Sequence, residues 1–399
     1  MVPITYNIRN LLERKGTTLM TALGIGMTVA VLVVSFAMVE GLRALFSGSG
    51  HPAQVIVLRK GTDAELTSSI SNSDLQYIRT LKTLMATASS LKEKPVPAEV
   101  SADQPLISPE ACVVANLPSS YASAMNISVR GLTDVGLLMR NYEIQKPGVP
   151  FNPNVYEVIV GESIAQRYPD AQLGKTIAFG KHAWKIVGIF HAADQAANSE
   201  VWCGLNLLAG DFDRQGESSS LLVRLDSPAR IPDFKAQVEK IQDLHVNVVS
   251  EKDYYASMTA SGEPLEVLGF AVAIIMAVGS AFAATNTMYA AVARRSREIG
   301  TLRALGFSRG SVLLSFIFES VCLSLIGGLL GVLLALPING LATGIGNFVT
   351  FTDVTFKFRV GLLPIFAGLA FAAIIGGLGG FLPAWAASRK DVVQAMRDA

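Results

Sequence analysis

Four apolar runs punctuate the chain. Thr17 to Val39 carries no charge over 23 residues, and Val267 to Ala293 none over 27. Gly310 to Ile338 carries one, Glu319, and Gly361 to Ala387 none. Crossing a bilayer takes about 20 apolar residues, so the pattern predicts transmembrane helices over 17–39, 265–293, 310–338 and 361–387. Arg9, Arg14 and Lys15 precede the first run, as in a secretion signal. It is too long for a signal core of roughly 7–15 residues, and no small-residue cleavage site closes it. It reads as a retained anchor. Ile4, Ile8 and Leu11 fall at helical spacing ahead of it, so 1–16 reads as an amphipathic helix on the membrane surface; the other reading is a frayed start of the first span.

Residues 40–264 form a large insertion between the first two spans. Gln54 to Lys60 has strand character, and Asp74 to Leu84 reads as an amphipathic helix capped by Ser73. Leu91 to Pro109 is rich in Pro, Ser and Lys, hence loop. Glu157 to Val160, Thr176 to Phe179 and Trp184 to Phe190 read as strands. Ser220 to Leu225, Asp233 to Ile241 and His245 to Val249 read as strand, helix, strand. The expected fold class is an α-helical membrane protein with four transmembrane helices and an inserted α+β domain outside the cytoplasm, with an external loop at 339–360 and a tail at 388–399.

Charge sets the orientation. The N-terminus, the loop 294–309 and the tail hold eleven Lys and Arg against four acids, while 40–266 holds 20 against 26. Basic flanks stay in the cytoplasm, so both termini are expected inside and the insertion outside. The whole chain, 399 residues, is 16% charged against roughly 25% in soluble domains, which argues against an ordinary cytosolic enzyme. A net charge of +1 argues against a nucleic-acid partner.

Catalytic patterns fail one by one. Gly174-Lys175-Thr176 resembles the end of a phosphate-binding loop, but Pro169 stands where its first glycine belongs. Gly161-Glu162-Ser163-Ile164-Ala165 approaches a nucleophile elbow but ends in Ala. His51, His182, His191 and His245 have no metal-ligand spacing. No catalytic residue, metal or bound cofactor is expected. Cys112 and Cys203 share the insertion, and the sequence leaves a bridge or two free thiols open.

Within the spans, Glu319 is costly in hydrocarbon and reads as a partner in a structural hydrogen bond rather than a proton relay. Gly327/Gly331 and Gly376/Gly380 are G-x3-G pairs that let helices approach closely, either within one chain or along a seam between copies. Pro383 is expected to kink or end the last span. In the loop 294–309, Ile299, Leu302, Leu305 and Phe307 form a partial apolar set among Arg297, Glu298 and Arg303. A short amphipathic helix with a docking surface for a cytoplasmic partner is expected there.

That loop carries a resemblance. Arg297-Glu298-Ile299-Gly300-Thr301-Leu302-Arg303-Ala304-Leu305-Gly306 resembles the R-E-I-G-x-L-R-A-x-G coupling segment of MacB/FtsX-type (type VII) ABC transporter permeases. Asn10 to Ala30 is similar to that family's first span. Pro383-Ala384 with Asp391 to Arg397 is similar to its closing segment, with Gln394 in place of glutamate. Val158 to Phe190 is similar to its MacB-like periplasmic core.

The resemblance implies a stand-alone permease of the lipoprotein-releasing kind, placed in a bacterial inner membrane with its large domain periplasmic. A second copy, in a homodimer or heterodimer, would pair with it. A separate cytoplasmic ABC ATPase carrying ATP and Mg would dock at Arg297, Glu298, Ile299, Gly300, Leu302, Arg303, Leu305 and Gly306. Besides membrane lipid, a periplasmic adaptor or outer-membrane protein is an expected partner. The work would be export of a lipid, lipoprotein, peptide or hydrophobic compound; the alternative is motion relayed to a periplasmic enzyme such as a cell-wall hydrolase, without transport.

Overall fold

The first two apolar runs become helices longer than a membrane is thick. The computed structural model describes residues 15–91, 100–117, 125–192, 196–259, 263–346 and 352–389. Span 1 belongs to the helix Lys15–Ser47 and span 2 to Glu263–Arg294. At 1.5 Å per residue each is about 50 Å long, against about 30 Å of hydrocarbon. Span 3 is Arg309–Ala335 and span 4 Leu362–Ser388; the latter continues past Pro383 rather than ending there. The helix expected over 1–16 lies almost wholly outside the described residues, as does the tail segment Asp391 to Arg397.

Two compact units divide the chain. The first, residues 1–41, 262–341 and 357–399, contains the spans. Ile25, Val29, Val33, Ala284, Val332, Ala335, Ala372 and Ile375 form its core. A Cβ on Gly331 would run into the Gly26 carbonyl, and one on Gly327 would lie 2.7 Å from that of Ala22. Cβ atoms on Gly376 and Gly380 would collide with Ser324 and Ser320. Each glycine pair is thus occupied within the chain, the first against span 1 and the second against span 3. Hydroxyls add cross-links: Thr28 and Ser280 share a hydrogen bond of 2.7 Å, Thr285 donates to the Gly379 carbonyl at 2.8 Å, and Ser320 to that of Gly376 at 2.8 Å. Such bonds hold spans together where no hydrophobic force between helices acts.

The second unit is residues 42–261 and 342–356. Its strands are β1 (Gln54–Arg59), β2 (Ile70–Ser71), β3 (Ile107–Leu117), β4 (Met125–Leu132), β5 (Tyr142–Gln145), β6 (Glu157–Gly161), β7 (Thr176–Phe179), β8 (His182–Ala192), β9 (Glu200–Gly204), β10 (Glu217–Ser218), β11 (Ser220–Arg224), β12 (Val246–Ser250), β13 (Ala342–Gly346) and β14 (Asp353–Lys357). Among the described residues a mixed sheet runs β12-β1-β11-β3-β4-β9-β6-β8-β5, with β7 beside β8. β4 runs parallel to β9 and β6 to β8. In β8, Trp184, Ile186, Phe190 and Ala192 are buried while His182, Lys185 and His191 are exposed, the alternation of a one-faced strand. β6 and β9 are buried nearly throughout, as central strands are.

Local chemistry corrects several expectations. The helix expected from Asp74 starts at Asn72, because Ser71 rather than Ser73 caps it in a reciprocal box with Asp74. The helix expected over Asp233 to Ile241 runs Ile231–Glu239, with Pro232 in its first turn. The segment read as an external loop contains the paired strands β13 and β14. Gly161, the first residue of the apparent nucleophile elbow, is a close approach to the Asn198 backbone, and the nearby His191 ring is engaged by Glu162 at 2.7 Å. Lys175 of the apparent phosphate loop donates to the Pro169 carbonyl at 2.9 Å. Cys112 on β3 and Cys203 on β9 are free, separated by β4; two strand spacings, about 10 Å, exceed disulfide reach.

Candidate functional site

Span 2 ends at Arg294, the chain turns through Arg295, and a helix Ser296–Ala304 follows. Ile299 and Gly300 face inward; Ile299 packs with Met288, Val292, Val312, Phe316, Ala384 and Ala387, drawn from spans 2, 3 and 4. Arg297, Glu298, Thr301, Ala304, Leu305 and Gly306 are exposed, and Leu302 and Arg303 half-buried. The apolar set expected on one face is therefore split: Ile299 anchors the helix, while Leu305 is 72% exposed.

Gly306 explains how the helix stops. Its φ is +90°, its N–H donates to the Arg303 carbonyl, and the Phe307 N–H donates to that of Leu302. These are the two bonds of a Schellman cap, whose left-handed residue favours glycine. Ser308 then caps span 3 by accepting from the Ser311 N–H at 3.2 Å. Two caps in three residues hold the turn between the helices.

Glu319 is engaged, and its partner is a residue that the sequence did not single out. Arg295 Nη1 donates to Glu319 Oε2 at 2.9 Å, with both side chains about 95% buried. The pair ties the corner after span 2 to the interior of span 3. Ile299 and this ion pair are two independent anchors for one short helix. Arg303, half-buried, has its Nε enclosed with no acceptor among the described residues.

The inserted domain has a buried charge cluster of its own. Arg130 on β4 donates all five of its N–H groups, to Glu65, Glu110 and Glu200, at 2.8–2.9 Å. Arg140 joins through Glu110 at 2.6 Å, and Trp202 donates to Glu200 at 2.8 Å. Burial alone would raise the Glu65 carboxyl, but Arg130 and a bond from Ser220 outweigh it and hold it down at about 2. Burial pushes the Cys112 thiol up to about 12. Hydrophobic patterning misses this cluster because its members are charged residues at core positions.

The two halves of the chain match two family descriptions. Residues 18–241 match "MacB-like periplasmic core domain" and residues 270–392 match "FtsX-like permease C-terminal". The macrolide export ATP-binding/permease protein MacB of Pasteurella multocida is 25% identical over 95% of this chain, which spans 57% of that relative's length. The uncharacterized ABC transporter permease YknZ of Bacillus subtilis is 22% identical over 99% of this chain and 98% of its own. Among solved structures, the periplasmic region of MacB from Actinobacillus actinomycetemcomitans is similar over 53% of this chain and 94% of that one, at 13% identity and a TM-score of 0.35. With one description covering more than half of its length and the second most of the remainder, this four-span chain belongs to the MacB/FtsX-type ABC transporter permeases.

Proposed function

We propose that this chain is the membrane subunit of an export system in which a separate cytoplasmic ATPase docks on the helix Ser296–Ala304. ATP binding in that partner moves the helix, and spans 1 and 2 carry the motion to the inserted domain, outside the inner membrane. The observation that carries this reading is the division of labour on one nine-residue helix. One side is fixed by Ile299 and by the neighbouring Arg295–Glu319 pair; the other presents Glu298 and Leu305 to solvent. A fixed inner side passes a push into the spans, and an exposed mix of charge and apolar area is the composition of a small protein interface.

The exposed apolar faces of spans 1 and 2 fit a second copy of the chain as well as lipid. Met20, Met27, Ile275 and Phe282 are each more than 60% exposed. The cargo class is the one the resemblance implies, a hydrophobic compound, lipid, lipoprotein or peptide; the Pasteurella multocida relative is named for macrolide export. Glu298→Arg reverses the charge at the exposed face and leaves Ile299, Arg295 and Glu319 themselves unchanged. Partner-stimulated ATP turnover should fall to the basal level while membrane insertion stays normal, measured on the reconstituted pair. Unchanged stimulation in that variant would remove the docking assignment.

A further inference from the structure

The segment between spans 3 and 4 is built into the inserted domain. β13 and all of β14 but Lys357 belong to the second compact unit although the chain enters them from span 3 and leaves them for span 4. Thr352, Thr355 and Phe356 are buried. The Thr355 N–H donates to Ser199 Oγ at 3.0 Å, the Asn126 N–H to Asp353 Oδ2 at 3.1 Å, and Arg167 Nη1 to Thr355 Oγ1 at 3.1 Å. The Arg167 guanidinium also lies against Gly344, where a Cβ would collide with it. Thr352 and Val354 close a cavity of about 50 Å³ whose other walls include Glu65, Arg130, Glu200 and Tyr254.

The three anchors come from different elements. Asn126 is on β4, Ser199 immediately precedes β9, and Arg167 ends the helix that follows β6. β4, β9 and β6 are neighbours at the middle of the sheet. The legs of the hairpin are paired at the span ends too: the Gly340 N–H donates to the Phe358 carbonyl at 2.8 Å and the Phe358 N–H to that of Leu341 at 3.0 Å. A two-stranded hairpin is marginal alone in water, so docking gives this one its order. A mere connector would run over the surface with few fixed contacts.

We propose that this hairpin is a second mechanical linkage, through which spans 3 and 4 pull directly on the centre of the inserted domain's sheet. The inference rests on the coupling function proposed above. Spans 1 and 2 attach to the domain through the chain ends of the insertion, whereas the hairpin grips its middle. Displacement of span 3, to which the coupling corner is tied through Glu319, thereby reaches β4, β9 and β6 without passing through span 1 or 2.

The test uses the full chain with its ATPase in lipid nanodiscs, reading hydrogen exchange over 125–132 and 196–204 with and without ATP and vanadate. Two variants slacken the linkage differently. Arg167→Ala/Ser199→Ala/Asp353→Ala removes these side-chain contacts, and a short Gly-Ser insert between Leu341 and Ala342 and between Lys357 and Phe358 keeps the contacts but frees the legs. Both should retain ATP turnover and lose at least half of the nucleotide-dependent change in exchange. An unchanged response with the slack legs would overturn the linkage even if the triple variant folds poorly. No nucleotide response in the unaltered protein would instead overturn the coupling function, and the linkage with it.

Discussion

Arg295 and Glu319 show how one pair of side chains fixes a loop against a neighbouring span. Removing one partner leaves a charge buried alone, which costs about 3–5 kcal/mol, whereas replacing both by apolar groups is often neutral. Glu319→Leu should therefore lower the stability of the purified protein by that order, and Arg295→Met/Glu319→Leu should recover most of it, measured by thermal unfolding in detergent. Arg295 was not legible in the sequence, since five arginines crowd the loop 294–309 and only the fold selects the one that turns inward. In the inserted domain, Glu65 has a folded-state pKa of about 2 against an ordinary 4.5. Its contribution is complete above pH 4.5 and is lost as the pH falls towards 2, on the order of 3 kcal/mol for such a shift. Unfolding of the full chain, followed by tryptophan fluorescence, should show a stability loss in that window, and Glu65→Gln should flatten it.

At the scale of elements, the long apolar runs were legible because nothing but a span explains more than 20 residues without charge. The strands were legible where they alternate, as in β8, and hidden where function-neutral rules break down. β3 carries Pro109 and the buried Glu110, and β4 carries the buried Arg130, so neither reads as a central strand. β13 and β14 are short and rich in Gly and Thr, and their pairing with each other needs the docked partner surface to make sense. The segment 297–306 was legible as a motif, while the reason for its last glycine appears only in the cap geometry. A Cβ on Gly306 would meet nothing within 4 Å, so its cost is conformational, roughly 1–2 kcal/mol for a left-handed residue. Partner-stimulated turnover should accordingly decline from Gly306 through Gly306→Asn to Gly306→Val, because asparagine tolerates that conformation better than a β-branched residue. Equal turnover in all three would show that the cap does not position the docking face.

For the whole molecule, the chain passes between the four-span unit and the sheet unit at both ends of the insertion and at both legs of a short hairpin. Mechanical work outside the membrane follows from this connectivity only if an ATPase drives the coupling helix. The most direct measurement is to purify the tagged chain gently from its native membranes, identify what accompanies it, and assay ATP turnover of the complex with and without Glu298→Arg. The account predicts an ABC-type ATPase in fixed stoichiometry whose stimulated turnover disappears in the variant. Absence of any such ATPase across several detergents, or full stimulation in Glu298→Arg, would contradict it.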